Sequence, residues 1–208
     1  RMLMGGQNDI RMMTLYVYAR FVAYDQKLEM IPDILESYDV QEGRIFTFKI
    51  RQGHRWSDGH PFTSEDIRYT VEDVMLNEDL SPAGLDREMM VDGKGPKFEV
   101  VDERTVRFTW DQPNPDFLPS LAAARPIFLA MPAHYLKNFH EKYQTPEKLA
   151  ELVKSEKVKD WVRLHTRMAR QYRPENPDLP TLDPWMNTTP SPAERYVFQR
   201  NPYFHRVD

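Results

Sequence analysis

The chain has 208 residues, enough for one ordinary domain or one and part of another, and its 40 % apolar and 12 % aromatic residues supply a sizeable core. That composition argues against intrinsic disorder, and a formal net charge of −4 argues against a dedicated nucleic-acid binder. There is no cysteine, which excludes disulfides, thiolate catalysis and cysteine-bearing metal sites, and no apolar run approaches the roughly 18 residues of a membrane-spanning helix.

The opening RMLMGGQNDIRMM lacks the apolar stretch of a signal peptide, and Arg1 precedes the first methionine, so it reads as the start of a mature or trimmed chain. Residues 13–25, MTLYVYARFVAYD, fit strand or helix alike. IPDILESYDV, from Ile31, reads as a short turn-led helix or an irregular crossover. Residues 44–51 alternate, with Phe46, Phe48 and Ile50 on one side and Thr47, Lys49 and Arg51 on the other, the pattern of a half-buried strand. KFEVVDERTVRFTW, from Lys97, reads as a β-hairpin around the polar turn at 102–105.

PIFLAMP, residues 126–132, is an apolar run of strand length, and Pro132 suits the first position of a helix through AHYLKNFHEKY. Residues 145–173 read as helix, with Thr145 as N-cap, Pro146 at the first position and Glu147 in the first turn. Val158, Trp161, Val162, His165, Met168, Ala169 and Tyr172 form an apolar stripe along it. Past Arg173 the proline-rich PENPDLPTLDPWMNTTPSP reads as a long extended connection, and ERYVFQRNPYF as a strand ended by Asn-Pro. The expected fold class is therefore α/β, a mixed sheet with a β-hairpin and flanking helices.

The densest polar stretch is RQGHRWSDGHPFTSEDI, from Arg51 to Ile67. Thr63 and Asp66 have capping-box spacing, Phe62 and Ile67 suit a hydrophobic staple, and Glu65 with Asp66 complements the helix dipole. Ser57, Asp58 and Gly59 carry turn chemistry. His54 and His60 stand six residues apart across that turn, not the helical spacing of a zinc pair, so no metal or cofactor is implied. A metal-dependent hydrolase using His54, Asp58 and His60 is kept as one alternative. A free-standing interaction module is the other: residues 154–173 carry seven Lys/Arg against Glu156 and Asp160. The formal glycosylation acceptor at Asn187 is too short a pattern to weigh.

From Ile31 to Val74 the chain resembles the bacterial extracellular solute-binding proteins of family 5, the dipeptide, oligopeptide and nickel receptors of ABC importers. Pro32, Leu35, Glu36 and Ser37 meet the family's first motif. Phe46, Thr47, Phe48, Arg51, Gly53, Trp56, Ser57, Asp58, Gly59, Pro61, Phe62, Thr63, Glu65 and Asp66 meet its second. Ile34, Tyr38, His54 and Ser64 depart from it mildly. FEVVDERTVRFTWDQPNPDFL and ERYVFQRNPYFHRVD are also similar to family segments, whereas PTLDPWMNTTPSP replaces the usual glycine-rich turn.

The resemblance implies one lobe of a type II periplasmic-binding-protein-like fold. Residues 1–173 would be the extra-domain and N-terminal lobe region, and 174–208 a connection and return strand towards the first lobe, with the second lobe absent. It implies a fragment of a periplasmic, monomeric, non-enzymatic receptor that captures a peptide-like solute and delivers it to the membrane permease subunits of an ABC importer. The contacts that fix a peptide's termini in oligopeptide receptors would lie mostly outside these residues. Within the chain, LDREMMVDG resembles a cleft-lining stretch, making Arg87, Met89 and Met90 the expected ligand-binding residues.

Overall fold

The alternation at 44–51 becomes the central strand of a four-stranded sheet. In the computed structural model, which describes residues 19–123, 126–171, 176–190 and 192–206, the chain forms two compact units. The first, here the sheet unit, comprises Ala19–Arg55, His60–Ala130 and residues 205–206; the second, the helical unit, comprises Trp56–Gly59 and Met131–Phe204. The N-terminal segment, residues 13–18, Tyr172, Arg173 and the start of the proline-rich stretch lie outside the described residues.

In the sheet unit β1 (Val22–Tyr24) pairs with β2 (Met30–Pro32). Four strands, β3 (Leu35–Gln41), β4 (Ile45–Ile50), β5 (Lys97–Asp102) and β6 (Thr105–Thr109), form a sheet of order β3-β4-β6-β5. Every described strand pairs antiparallel. Phe46, Phe48 and Ile50 face the core with Val106, Phe108 and Trp110, as the two-residue period requires. Phe117, on the short helix α2 (Phe117–Ser120), inserts among these rings, with centroids 4.7 Å from Trp110, 5.2 Å from Phe108 and 5.3 Å from Phe46. Edge-to-face and tilted pairs at these distances add to simple burial.

Residues 31–40 are neither helix nor irregular crossover but the end of β2 and most of β3. The device that makes them strand is the turn after them. Glu42 and Gly43 both take positive φ, +52° and +64°, and Arg44 N–H donates to the Gln41 carbonyl, a tight hairpin turn whose twist matches the flanking strands.

Helix α1 (Ser64–Arg68) runs directly into a π-helical stretch, Tyr69–Met75. Its start is as expected: Thr63 Oγ1 accepts from Glu65 N–H, and Thr63 N–H donates to Asp66 Oδ2 at 3.0 Å. Arg68 then ties Glu65, Glu72 and the buried Asp73 together.

In the helical unit, helix α3 (Ala133–Leu136) passes into a 3-10 turn, Lys137–Phe139, and stops there, short of the expected length; Pro132 is its N-cap. The expected long helix at 145–173 is two helices, α4 (Pro146–Ser155) and α5 (Trp161–Met168). Lys157 adopts φ +53°, its N–H donates to Lys154, and Val158 N–H donates to Val153: a Schellman stop with lysine in the left-handed position. Asp160 then caps α5 by accepting from Arg163 N–H at 2.8 Å. The proline-rich stretch is likewise not wholly extended connection, since it contains β7 (Trp185–Asn187), which pairs with β8 (Phe198–Arg200). Residues 126–130 bury Ile127, Leu129 and Ala130 as a strand would, yet join no ladder among the described residues. Prolines bracket the run at 126 and 132, and burial alone does not demand pairing.

Candidate functional site

The loop from Leu85 to Gly95 is held from beneath. Trp110 Nε1–H donates to the Met89 carbonyl at 2.9 Å and Asn114 Nδ2–H to the Glu88 carbonyl at 2.9 Å, fixing the single turn Arg87–Met89 against the core. Asp92 and Gly93 take positive φ in a turn closed by paired 2.9 Å bonds between Val91 and Lys94. Of the three expected ligand residues, Met89 is fully buried beneath the loop, whereas Arg87 and Met90 are exposed. A cavity of about 370 Å³ is lined by Val91, Lys94, Trp110 and Asp111, and none of the three expected residues is in its lining.

The helical unit holds a cavity of its own, about 350 Å³, next to β7. Trp185, 43 % exposed, and Phe198 supply aromatic wall, and Ser57, Asp178, Asp183 and Asn187 supply polar atoms. Asn201, fully enclosed, shapes this wall. Its Nδ2 donates to the Asp183 carbonyl at 3.0 Å and to the Thr181 carbonyl at 3.4 Å, and its N–H donates to Pro184. Asn201 thus sets the path of the chain into β7.

His54, Asp58 and His60 go to three different tasks. His54 is buried in the sheet unit, edge-on to Phe62 with centroids 5.4 Å apart and 5.1 Å from the His205 ring. Burial, then the positive charges of His205 and Arg51, pushes its pKa down to about 4, so it is neutral at pH 7. Asp58 belongs to the helical unit, where Oδ2 meets His134 Nε2 at 2.7 Å. His60 is exposed, its ring nitrogen 3.0 Å from the Pro61 carbonyl oxygen. Among the described residues no group of three or more His, Asp or Glu side chains is placed to hold a metal ion. The hydrolase alternative therefore has no assembled centre, and the basic-helix alternative loses its continuous helix to the break at Lys157.

Sequence reasoning overlooked a buried ionic cluster in the sheet unit. Asp33 Oδ1 meets His205 Nε2 at 2.6 Å and Arg206 Nε at 2.8 Å, while its Oδ2 accepts from Arg206 and from Arg20 N–H. Burial raises the Asp33 pKa, but the bonds from His205 and Arg206 outweigh it and hold it at about 2. The cluster borders a cavity of about 590 Å³ that Arg51, Tyr24 and Ile31 also line. The only sequence signal was the charged HRVD after the strand, which local patterns do not connect to Asp33.

The chain belongs to the bacterial extracellular solute-binding proteins, family 5, whose middle portion matches residues 29–208. The periplasmic alpha-galactoside-binding protein of Rhizobium meliloti is 28 % identical over 183 residues, covering 87 % of this chain and 24 % of its own. The periplasmic oligopeptide-binding protein OppA of Escherichia coli is 28 % identical over 145 residues, covering 63 % of this chain and 26 % of its own.

Among solved structures, an oligopeptide-binding protein OppA superimposes on 100 % of this chain and 32 % of its own, with a TM-score of 0.87 at 33 % identity. The periplasmic binding protein MelB from Agrobacterium fabrum, in complex with stachyose, gives a TM-score of 0.68 at 22 % identity over 98 % of this chain and 31 % of its own, a likeness of fold. The chain thus spans about a quarter of the length of the curated relatives it matches. The α/β architecture is that of one part of a family 5 binding protein.

Proposed function

We propose that the chain is part of a periplasmic receptor that captures a peptide-like solute and delivers it to the permease subunits of an ABC importer. The observation that carries this reading is the continuous family 5 match, supported by peptide-binding relatives. In this reading residues 1–173 form the extra-domain and N-terminal lobe region and 174–208 the connection and return strand. The remaining lobe is supplied by further sequence. The receptor acts as a monomer and closes about a hinge, with main-chain hydrogen bonds carrying much of the affinity and no covalent step.

Arg87 and Met90 are the solute-facing residues of the loop, while Met89 seats it. A flexible thioether and a long cation, on a turn held by Trp110 and Asn114, suit solutes of varied side chain. The test is mass spectrometry of solute co-purifying with the protein expressed from its whole reading frame, followed by calorimetry with the peptide found. Peptide binding should weaken roughly three- to tenfold in Met90→Ala, the loss of about one good apolar contact. A receptor that carries no peptide and binds none refutes the reading.

A further inference from the structure

We propose that the turn joining α4 to α5 in the helical unit is a contact for an anionic phospholipid surface. The break at Lys157 gathers cations there instead of spreading them round one long helix. Lys154 lies in the last turn of α4, Lys157 in the left-handed position at φ +53°, Lys159 in the linker and Arg163 in the first turn of α5, and all four are exposed. None of these four side chains makes a hydrogen bond or ion pair among the described residues. The two carboxylates of the segment are already engaged. Glu156 pairs with Arg167 at 3.4 Å, and Asp160 caps α5 by accepting from Arg163 N–H. From Lys154 to Arg167 five Lys and Arg therefore stand against two carboxylates, in a chain whose formal net charge is −4. The positive charge is concentrated where the rest of the sequence is acidic, and a local field of that sign attracts a surface of phosphates.

The composition of the patch favours a lipid surface over an acidic protein. Residues 146–168, all of them described, expose no large apolar side chain; Leu149 and Leu164 are buried and Val158, Trp161 and Val162 half-buried. A stable protein interface has an apolar core from which lysine is depleted, and this patch has three lysines and no such core. A lysine ammonium is a strongly hydrated point charge on a flexible stem, suited to many mobile phosphates rather than to one fixed carboxylate. Lys157 also holds a charge at the one position of the turn where glycine is the easier residue, so charge is kept there against backbone preference. The turn itself is fixed from both sides, by the Val158 N–H bond to Val153 and by the Asp160 cap. The proposal goes beyond the receptor reading and rests on it in one respect, that an importer sits in a membrane: the patch would hold the receptor near that surface whatever solute it carries.

The experiment is co-sedimentation of the protein expressed from its whole reading frame with phosphatidylcholine vesicles, with and without phosphatidylglycerol. Wild type is compared with Lys157→Gly/Lys159→Gln and with Lys94→Gln/Lys97→Gln, which removes equal charge from the sheet unit. The expected result is binding only to vesicles that contain phosphatidylglycerol, weakening as salt is raised. It should fall about fivefold for each lysine removed from the turn and stay unchanged in the sheet-unit variant. Thermal midpoints separate this from misfolding, since Lys157→Gly should stabilise the fold while it weakens the contact. Equal losses in the two double variants overturn the proposal. So does binding to soluble polyglutamate with none to the vesicles, which assigns the patch to an acidic protein partner. In either case a co-purifying peptide leaves the receptor reading standing, and vesicle binding with no solute refutes that reading alone.

Discussion

Acid should unfold the helical unit through His165. This side chain lies on α5, 2 % exposed and edge-on to His140 with ring centroids 5.6 Å apart. Burial first, and the neighbouring His140 second, pushes its pKa from the ordinary 6.5 down to about 3. The folded protein therefore binds fewer protons at this site than the unfolded chain. Its contribution to stability is complete above about pH 6.5 and is lost as pH falls towards 3. At pH 5 the loss is about 1.5 pH units at 1.36 kcal/mol each, or roughly 2 kcal/mol.

Urea unfolding at pH 7 and pH 5, wild type against His165→Leu, isolates that loss. Leucine changes the packing at both pH values but cannot take a proton. With a slope of roughly 1–3 kcal/mol per molar urea, the wild-type midpoint should fall by about 1 M more than that of the variant between the two pH values. Equal losses in the two proteins would refute the reasoning.

Three further outcomes follow from packing and backbone geometry. Phe117→Ala removes the ring at the centre of the aromatic cluster and should cost about 3–5 kcal/mol in chemical denaturation of the sheet unit. Lys157→Gly relieves an exposed left-handed residue at a helix stop and should raise stability by about 0.5–1 kcal/mol, read as a higher thermal midpoint. Asn201→Ala strips the buried amide from two carbonyls and should cost about 1–3 kcal/mol, with faster amide exchange at β7.

What could be read in the sequence was what local chemistry alone decides. The Thr63 cap, the β5–β6 hairpin and the inward face of β4 each depend on residues within a few positions of one another, and each is where its pattern put it. Two breaks were hidden because an unusual residue holds a glycine-like conformation. Glu42 leads the β3–β4 turn where asparagine or aspartate is usual, and Lys157 stops α4 where glycine is usual. The second break did carry a signal, Asp160 directly before the apolar Trp161, which the continuing helical stripe masked. At the candidate sites, LDREMMVDG showed neither the grip of Trp110 and Asn114 nor the burial of Met89, since those contacts come from residues 21 and 26 positions further on. The cavity wall of Trp185 was hidden for the same reason, because Asn201 shapes it from beyond the next strand.

The Asp33 cluster has a consequence for how the protein is made. Its two side-chain partners come from residues 172 and 173 positions later in the chain, so the buried carboxylate waits until they have been made. At ordinary translation rates of about 5–20 residues per second, that wait is roughly 9–35 s. During it the β1–β2 ribbon and the start of β3 carry a charge with no neutralising side chain, and the sheet can dock there only weakly. Closing so long a loop also slows folding relative to a helical domain of similar size. The sheet unit is therefore completed last at its first strands, and a ribosome-stalled chain ending before His205 should leave that corner open to proteases while the Phe117 cluster is already protected.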